Sequence, residues 1–249
     1  MRILITNDDG IFAPGIAALV KVFSKAGHTI TVCAPDVQRS AAGHSIILDK
    51  PLCVKEERVL FAPKAYSISG TPADCVRLGL RVLARDADFV LSGINHGYNA
   101  GTDVLYSGTV AAAMEAALSG TPAMAVSLGQ KSDRYENAAF EALHVFDLLA
   151  HQWPASGKMV NLNIPESAII NGIKATKLRR LCYNDYYECI EKKEEECYYS
   201  IKGWIDEGQP FDEDDYGWLR RGYATVSVLT YDMESAADTR HLSLILERQ

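Results

Sequence analysis

The chain has 249 residues, 48% of them hydrophobic and 23% charged, which is enough apolar material for the core of one large globular domain or two small ones. No apolar stretch approaches the roughly 20 residues of a membrane span, and the six cysteines form no CxxC pair, so we expect a cytoplasmic protein with reduced thiols, no signal peptide and no membrane contact. The formal charge of −7 is concentrated in residues 186–221 and no basic stripe is present, which argues against a nucleic-acid partner.

The first elements in chain order form a β-α-β unit. Residues 2–6 are strand formers, apolar residues recur at helical spacing over 16–23, and Gly27 ends that segment before a second apolar run at 29–34. Two strands joined by a helix pair in parallel through a right-handed crossover. The opening of the chain therefore predicts a parallel sheet.

The same alternation continues further along the chain. Thr71 is an N-cap candidate and Pro72 suits the first helical position, so a helix is predicted over 75–83. Further strands are predicted at 88–92, 122–127 and 159–163, and further helices at 109–118 and 134–150. Apolar strands that alternate with helices predict a doubly wound, mostly parallel α/β sheet with helices on each side.

The pattern changes after residue 173 to aromatic and β-branched residues and charge runs without a helical period. We interpret 181–222 as an extended β-hairpin arm, 223–231 as a strand that returns to the core, and 232–249 as a C-terminal tail or short helix. The catalytic core is then formed by residues 1–180 and completed by the returning strand.

Polar side chains follow the first two predicted strands. Asp8 and Asp9 come directly after 2–6, and a loop that carries Ser40 follows 29–34. Because the carboxyl ends of parallel strands share one edge, where open α/β sheets bind ligands, we expect these side chains to meet. Taken singly, each motif is also explained by solvated loop acids or a turn-capping serine.

The glycine-rich stretch after the next strand adds an amide oxygen at the same edge, from Asn95. Carboxylate, hydroxyl and amide oxygens suit a hard cation such as Mg²⁺ or Mn²⁺ better than zinc. The candidate ligand set is Asp8, Asp9, Ser40 and Asn95.

Ser107, Gly108 and Thr109 begin the alanine-rich helix and provide a candidate anion site. Unpaired N–H groups at a helix start favour an anion, although plain N-capping by Ser107 explains the motif equally well. A cation next to a phosphate cradle is what phosphoryl transfer to water requires, so the combination indicates a phosphatase.

Taken together, these motifs resemble the SurE family, the stationary-phase survival proteins that act as 5′-nucleotidases. Four blocks within about the first 130 residues carry the resemblance: Asn7-Asp8-Asp9-Gly10 with Ala13-Pro14-Gly15, Ala34-Pro35-Asp36 to Arg39-Ser40, Ser69-Gly70-Thr71-Pro72-Ala73-Asp74-Cys75-Val76, and Ser92-Gly93-Ile94-Asn95 to Tyr106-Ser107-Gly108-Thr109-Val110-Ala111-Ala112. Over 185–222 the resemblance is confined to Asp215 and the vicinity of Gly222.

The resemblance implies a Rossmann-like three-layer α/β/α sandwich that binds one divalent metal ion per subunit, Mg²⁺ or Mn²⁺. It implies hydrolysis of nucleoside 5′-monophosphates by a metal-activated water, with 3′-nucleotides and short polyphosphate as further substrates, in a homodimer or tetramer formed through the arm and tail. The residues it assigns are Asp8 and Asp9 for catalysis, the same two with Ser40 and Asn95 for the metal, and Asn95, Ser107, Gly108 and Thr109 for the phosphate.

Three alternatives were weighed against this hypothesis. A phosphatase of the haloacid dehalogenase type needs an Asp-x-Asp spacing, whereas Asp8 and Asp9 are adjacent. A dinucleotide-dependent oxidoreductase needs a G-x-G-x-x-G motif after the first strand, which is absent. A non-catalytic nucleotide or phosphate sensor could use the same cation and cradle, and only measured turnover distinguishes it from an enzyme.

Overall fold

The computed structural model describes residues 1–149, 152–205 and 213–247. The described strands are β1 (Arg2–Thr6), β2 (Thr29–Pro35), β3 (Val54–Glu56), β4 (Lys64–Ile68), β5 (Phe89–His96), β6 (Ala123–Leu128), β7 (Lys158–Ile164), β8 (Ile173–Ala175), β9 (Tyr183–Lys193), β10 (Glu196–Ile205) and β11 (Ala224–Thr230). The described α-helices are α1 (Pro14–Lys25), α2 (Pro72–Leu78), α3 (Gly108–Leu118), α4 (Tyr135–Leu149), α5 (Asp215–Arg220) and α6 (Ala236–Leu246).

Nine strands form one sheet in the order β3-β4-β2-β1-β5-β6-β7-β11-β8. The strands from β4 to β7 run parallel, whereas β3 and β11 are antiparallel to their neighbours β4 and β7. β1 lies between β2 and β5, so the chain builds the sheet in opposite directions from this point. Such a reversal opens a crevice at the carboxyl ends of the central strands, which is where open α/β sheets bind ligands.

Helices cover both faces of the sheet and create two hydrophobic layers. One layer packs α1 and α4 against the sheet around Phe23, Phe89 and Phe146, whose rings meet edge to face. The other packs α2 and α3, in which the small alanine side chains of α3 allow close approach and leave residues 108–117 buried. The predicted three-layer α/β/α fold is confirmed.

Local sequence signals start the helices that border the crevice. Thr71 is the N-cap of α2, as predicted, and it forms a reciprocal capping box with Asp74. Ser107 caps α3 by accepting a hydrogen bond from the Val110 N–H at 3.0 Å. α2 continues as a π-helical turn over Gly79–Leu83, so the predicted helix at 75–83 is present but irregular in its second half.

Strands β3, β4 and β8 were not predicted. They are three to five residues long and carry exposed charges, so the sequence has no run of apolar residues that would mark them. β4 becomes a strand because it pairs in register with five residues of β2, a tertiary contact that local propensity does not encode.

The acidic segment differs from the predicted arm 181–222 in its second part. β9 and β10 do form an antiparallel hairpin, and 206–212 lies outside the described residues. Residues 215–220, however, form the helix α5, which packs against β11 with Asp215 and Leu219 buried. Its acids are buried because they are paired, an outcome that charge density alone does not predict.

The C-terminal residues of the described chain form α6, in which none of the residues is buried. Within the described ranges, no helix is both long enough and apolar enough to span a membrane.

Candidate functional site

The carboxyl ends of β1, β2 and β5 and the start of α3 surround one cleft of about 670 Å³. Five of the candidate residues lie on its wall: Asp8, Asp9, Ser40, Asn95 and Ser107. The structure therefore brings together the four candidate metal ligands and the first residue of the candidate phosphate cradle.

Asp8 is the most buried carboxylate of the cleft, with 4% of its surface exposed. The Thr109 hydroxyl donates a hydrogen bond to Asp8 Oδ1, so the carboxylate lies at the amino end of α3, where the helix dipole favours negative charge. Burial raises the pKa of Asp8 to about 6, the Thr109 hydrogen bond opposes the shift, and the charge of Asp9 adds to it. A nearby cation would favour the ionised form of a carboxylate buried in this way.

Asp9 is fixed by donors from two other loops. Gln38 Nε2 donates to Asp9 Oδ1 at 3.2 Å, and the His96 N–H donates to Asp9 Oδ2 at 3.3 Å. Burial raises the pKa of Asp9 as well. Gln38 Nε2 also donates to Ser40 Oγ at 2.9 Å, so a single amide links the two candidate ligands.

Asn95 stands where β5 departs from regular pairing with β6, between Ser92 and Asn95. Gly93 makes this departure possible, because its φ is +136° and a Cβ there would lie 2.3 Å from the Val126 carbonyl oxygen. Asn95 Nδ2 donates to the Gly97 carbonyl at 2.9 Å. With the amide nitrogen engaged, Oδ1 is the end that can serve as a ligand.

Two further glycines allow the site to close. A Cβ on Gly15, at the start of α1, would lie 2.1 Å from the Ile94 carbonyl oxygen, next to Asn95. A Cβ on Gly108 would lie 2.9 Å from Asp8 Cβ. The backbones of α1 and α3 can therefore approach the ligand-bearing loops only without side chains at these positions.

The candidate phosphate cradle is only partly open to the cleft. Ser107 lines the cleft, whereas Thr109 is fully buried and its hydroxyl donates a hydrogen bond to Asp8. Gly108 lies close to the Asp8 side chain, because a Cβ on Gly108 would be 3.0 Å from Asp8 Oδ2. Gly108 and Thr109 thus lie against Asp8, and Ser107 is the residue of the three that lines the cleft.

The other end of the cleft was not predicted from the sequence. It is lined by Tyr98, Asn99, Asp103, Tyr106, Gln130, Glu166 and Tyr216. Glu166 could have been found, because it follows β7 and so lies at the same edge as Asp8. Tyr216 could not, because it belongs to α5, within the acidic segment that was interpreted as an arm.

The charge of the cleft is negative. Its described lining includes the four acids Asp8, Asp9, Asp103 and Glu166, and no lysine or arginine. Among residues 1–149, 152–205 and 213–247, no group of three or more His, Cys, Asp and Glu side chains could hold a metal ion. A cation in this cleft would therefore be held by two carboxylates and neutral oxygens, a donor set that suits a hard divalent ion.

The sequence and the fold are both similar to those of known proteins. The family described as "Survival protein SurE" matches residues 3–185. The chain is 42% identical to the "5′-nucleotidase SurE" of Clostridium beijerinckii, covering all of both chains, and 42% identical to that of Synechococcus elongatus, covering 98% and 100%. The crystal structure of the SurE protein from Aquifex aeolicus is similar with a TM-score of 0.85 at 32% identity, covering 98% of this chain and 99% of that one. This chain belongs to the SurE family.

Proposed function

We propose that the protein is a divalent-metal-dependent phosphatase that hydrolyses nucleoside 5′-monophosphates. The observation that carries the proposal is the negative cleft: a site that receives a phosphate dianion has four acids and no basic side chain in its described lining. Such a cleft binds phosphate only if a cation supplies the positive charge. The names of the full-length relatives, 5′-nucleotidase SurE, support the same substrate class.

The cation is proposed to bind Asp8, Asp9, Ser40 and Asn95, one ion per subunit, with Mg²⁺ or Mn²⁺ as the candidates. The oxygen-only donors support this assignment, and Gln38 supports it by holding Asp9 and Ser40 together. When bound, a divalent ion neutralises charge on the phosphoryl oxygens and lowers the pKa of water in the site.

The side chains of the site have separate tasks in this proposal. The Thr109 hydroxyl positions Asp8 by its hydrogen bond to Oδ1, and Asp8 is the proposed acceptor of the proton of the attacking water. Asn95 and the Ser107 hydroxyl orient the phosphate, with the amino end of α3 adding favourable charge through Gly108.

Direct attack by water fits this arrangement better than a phospho-enzyme. The carboxylate that the Thr109 hydroxyl contacts, Asp8, is assigned to the cation, and Ser107 Oγ is engaged as the cap of α3 by the Val110 N–H, so neither hydroxyl is placed as a nucleophile with its own base among the described residues. Direct displacement inverts the configuration at phosphorus. Hydrolysis of a chiral thiophosphate substrate is therefore expected to give inversion, and net retention would indicate a covalent intermediate.

The central experiment measures inorganic phosphate released from a panel of nucleoside 5′-monophosphates, 3′-monophosphates and short polyphosphate. We expect release with Mg²⁺ or Mn²⁺, loss with chelator, and recovery on adding the ion back. Asp9→Asn should lower activity by about 100-fold or more. The matched control is Asp147→Asn, an exposed residue of α4. Nucleotide binding without turnover would contradict the proposal and identify a sensor.

We also propose that the chain forms a homodimer or tetramer in the cytoplasm. In support, β9 and β10 contain no buried residue, yet they carry large side chains such as Tyr187 at 69% and Trp204 at 61% exposure. Aromatic residues are enriched where proteins meet. The six free cysteines suit a reducing compartment.

A further inference from the structure

The cleft extends well beyond the candidate metal ligands. Its far end is lined by Tyr98, Glu166 and Tyr216, and the same three residues line an adjoining cavity of about 380 Å³. Pockets for small ligands have volumes of roughly 300 to 1,000 Å³. With the phosphate at the metal end, this far end is the place where the rest of a nucleotide lies.

Glu166 is held in place at this far end. The Lys131 N–H donates to Glu166 Oε1 at 3.1 Å, and the Glu166 N–H donates to the Tyr98 hydroxyl at 3.0 Å. Gly129 provides the space, because a Cβ there would lie 2.2 Å from Glu166 Cγ and 2.6 Å from the Tyr98 hydroxyl oxygen. The carboxylate is therefore fixed by backbone contacts before any ligand binds.

The second carboxylate at this end is engaged within the protein. The Tyr183 hydroxyl lies 2.6 Å from each carboxylate oxygen of Asp103 and donates to it. For Glu166 Oε2, by contrast, no residue of the described ranges acts as a donor. Glu166 is thus the distal carboxylate that can accept hydrogen bonds from a ligand.

An ionised carboxylate accepts hydrogen bonds and donates none. The neighbouring 2′- and 3′-hydroxyls of ribose are two adjacent donors, and acidic side chains bind ribose hydroxyls in this way in dinucleotide sites. The chemistry of the site therefore favours a ribose with both hydroxyls free.

We propose that Glu166 is a specificity residue that accepts hydrogen bonds from the 2′- and 3′-hydroxyls of a ribonucleoside 5′-monophosphate, so that ribonucleotides are preferred over deoxynucleotides. The inference rests on the proposed function, because it assumes that the phosphate lies at the metal end. Tyr98 and Tyr216, whose rings contact each other edge to face with centroids 6.4 Å apart, line the same part of the cleft.

The test compares adenosine 5′-monophosphate with its 2′,3′-dideoxy analogue, which has the same base and phosphate. In the wild-type protein we expect kcat/KM to favour the ribonucleotide by about tenfold or more, the scale of hydrogen bonds to a charged group. Glu166→Gln keeps the shape and the Lys131 contact but adds a donor, and it should reduce this ratio to near 1. The control Glu56→Gln, on the exposed strand β3, should keep the wild-type ratio.

A wild-type ratio near 1, or a Glu166→Gln variant that keeps the wild-type ratio, overturns the inference. If no nucleotide is hydrolysed, the proposed function fails, and calorimetry then tests the inference separately. Adenosine should bind the wild-type protein more tightly than 2′,3′-dideoxyadenosine and should lose this advantage in Glu166→Gln, whereas equal affinities for the wild-type protein contradict it.

Discussion

The side chains at the cleft edge of the sheet and those in the hairpin of β9 and β10 differ in where their interaction partners lie. At the edge, Asp8 accepts a hydrogen bond from Thr109 of α3, Asp9 and Ser40 accept from Gln38 of the loop after β2, and glycines let the backbones approach. In the hairpin, β9 pairs with β10, none of their residues is buried, and Tyr183 at the start of β9 contacts the rest of the chain through Asp103. The site residues at the edge therefore have hydrogen-bond partners within one chain, whereas we propose that the exposed side chains of the hairpin contact a second chain.

Substitution at the edge should affect catalysis most. Asp8→Asn removes one of two carboxylates from the candidate cation site and replaces the proposed proton acceptor, so kcat/KM should fall by about 100-fold or more. Phosphate release is the measurement, and light scattering should give the same mass as for the wild-type chain. A variant that loses its assembly together with its activity would show that the two regions are coupled.

Closer packing at the edge should have the next largest effect. Gly15→Ala places a Cβ 2.1 Å from the Ile94 carbonyl oxygen, so the start of α1 or the end of β5 has to move. We expect the free energy of unfolding in urea to fall by about 1 to 3 kcal/mol, the usual cost of overpacking. Ala17→Ser, on the exposed side of α1, is the control. Unchanged stability would mean that the edge is less tightly packed than described.

Loss of the buried hydroxyl behind Asp8 should have a moderate effect. Thr109→Val keeps the shape of the side chain but removes the donor to Asp8 Oδ1, and we expect kcat/KM to fall by about tenfold. Thr109→Ser restores the hydroxyl and should recover most of the activity. If valine and serine behave alike, the hydrogen bond does not position Asp8.

Removal of the hairpin should affect catalysis least and assembly most. Replacing 185–203 with a short Gly-Ser link joins Asn184 to Trp204, which are opposite each other in the hairpin, and retains Tyr183 and α5. Phosphate release should remain within about threefold, since no candidate ligand is removed. Light scattering should show a smaller particle than the wild-type oligomer, whereas Glu195→Ala in the turn should leave its size unchanged. A wild-type chain that is monomeric at micromolar concentration would refute the proposed assembly.

Sequence reasoning placed Asp8, Asp9, Ser40 and Asn95 near one another because each follows a strand, and parallel strands end at one edge. It did not find Gln38, whose role depends on which way its amide turns within a loop. It also treated Ser107, Gly108 and Thr109 as equivalent, although only the fold shows that Thr109 lies behind Asp8. The sequence can predict the N-terminus of a helix and therefore where its unpaired N–H groups lie. It cannot predict which neighbouring group lies next to them, because that group comes from another part of the fold.

The acidic segment shows that composition alone does not predict which charged side chains are buried. Asp214 and Asp215 belong to the acidic segment that was interpreted as an extended β-hairpin arm, yet both are buried. Asp214 pairs with Arg179 at 3.0 Å, and Asp215 accepts hydrogen bonds from the N–H groups of Gly101, Arg179 and Tyr216. The partners of these two carboxylates include Gly101 and Arg179, which lie more than thirty residues away in sequence, so composition within a window cannot reveal the burial.

The strand order has a consequence for synthesis on the ribosome. β11, from near the end of the chain, lies between β7 and β8, so β8 pairs with the sheet only after β11 has been made. Asp215 and Tyr216, which brace and line the cleft, are also made late. A nascent chain that has emerged only as far as the hairpin therefore carries Asp8, Asp9, Ser40 and Asn95 but an unfinished cleft. Tyr216 therefore joins the wall of the cleft only after all the strands from β1 to β7 have been made.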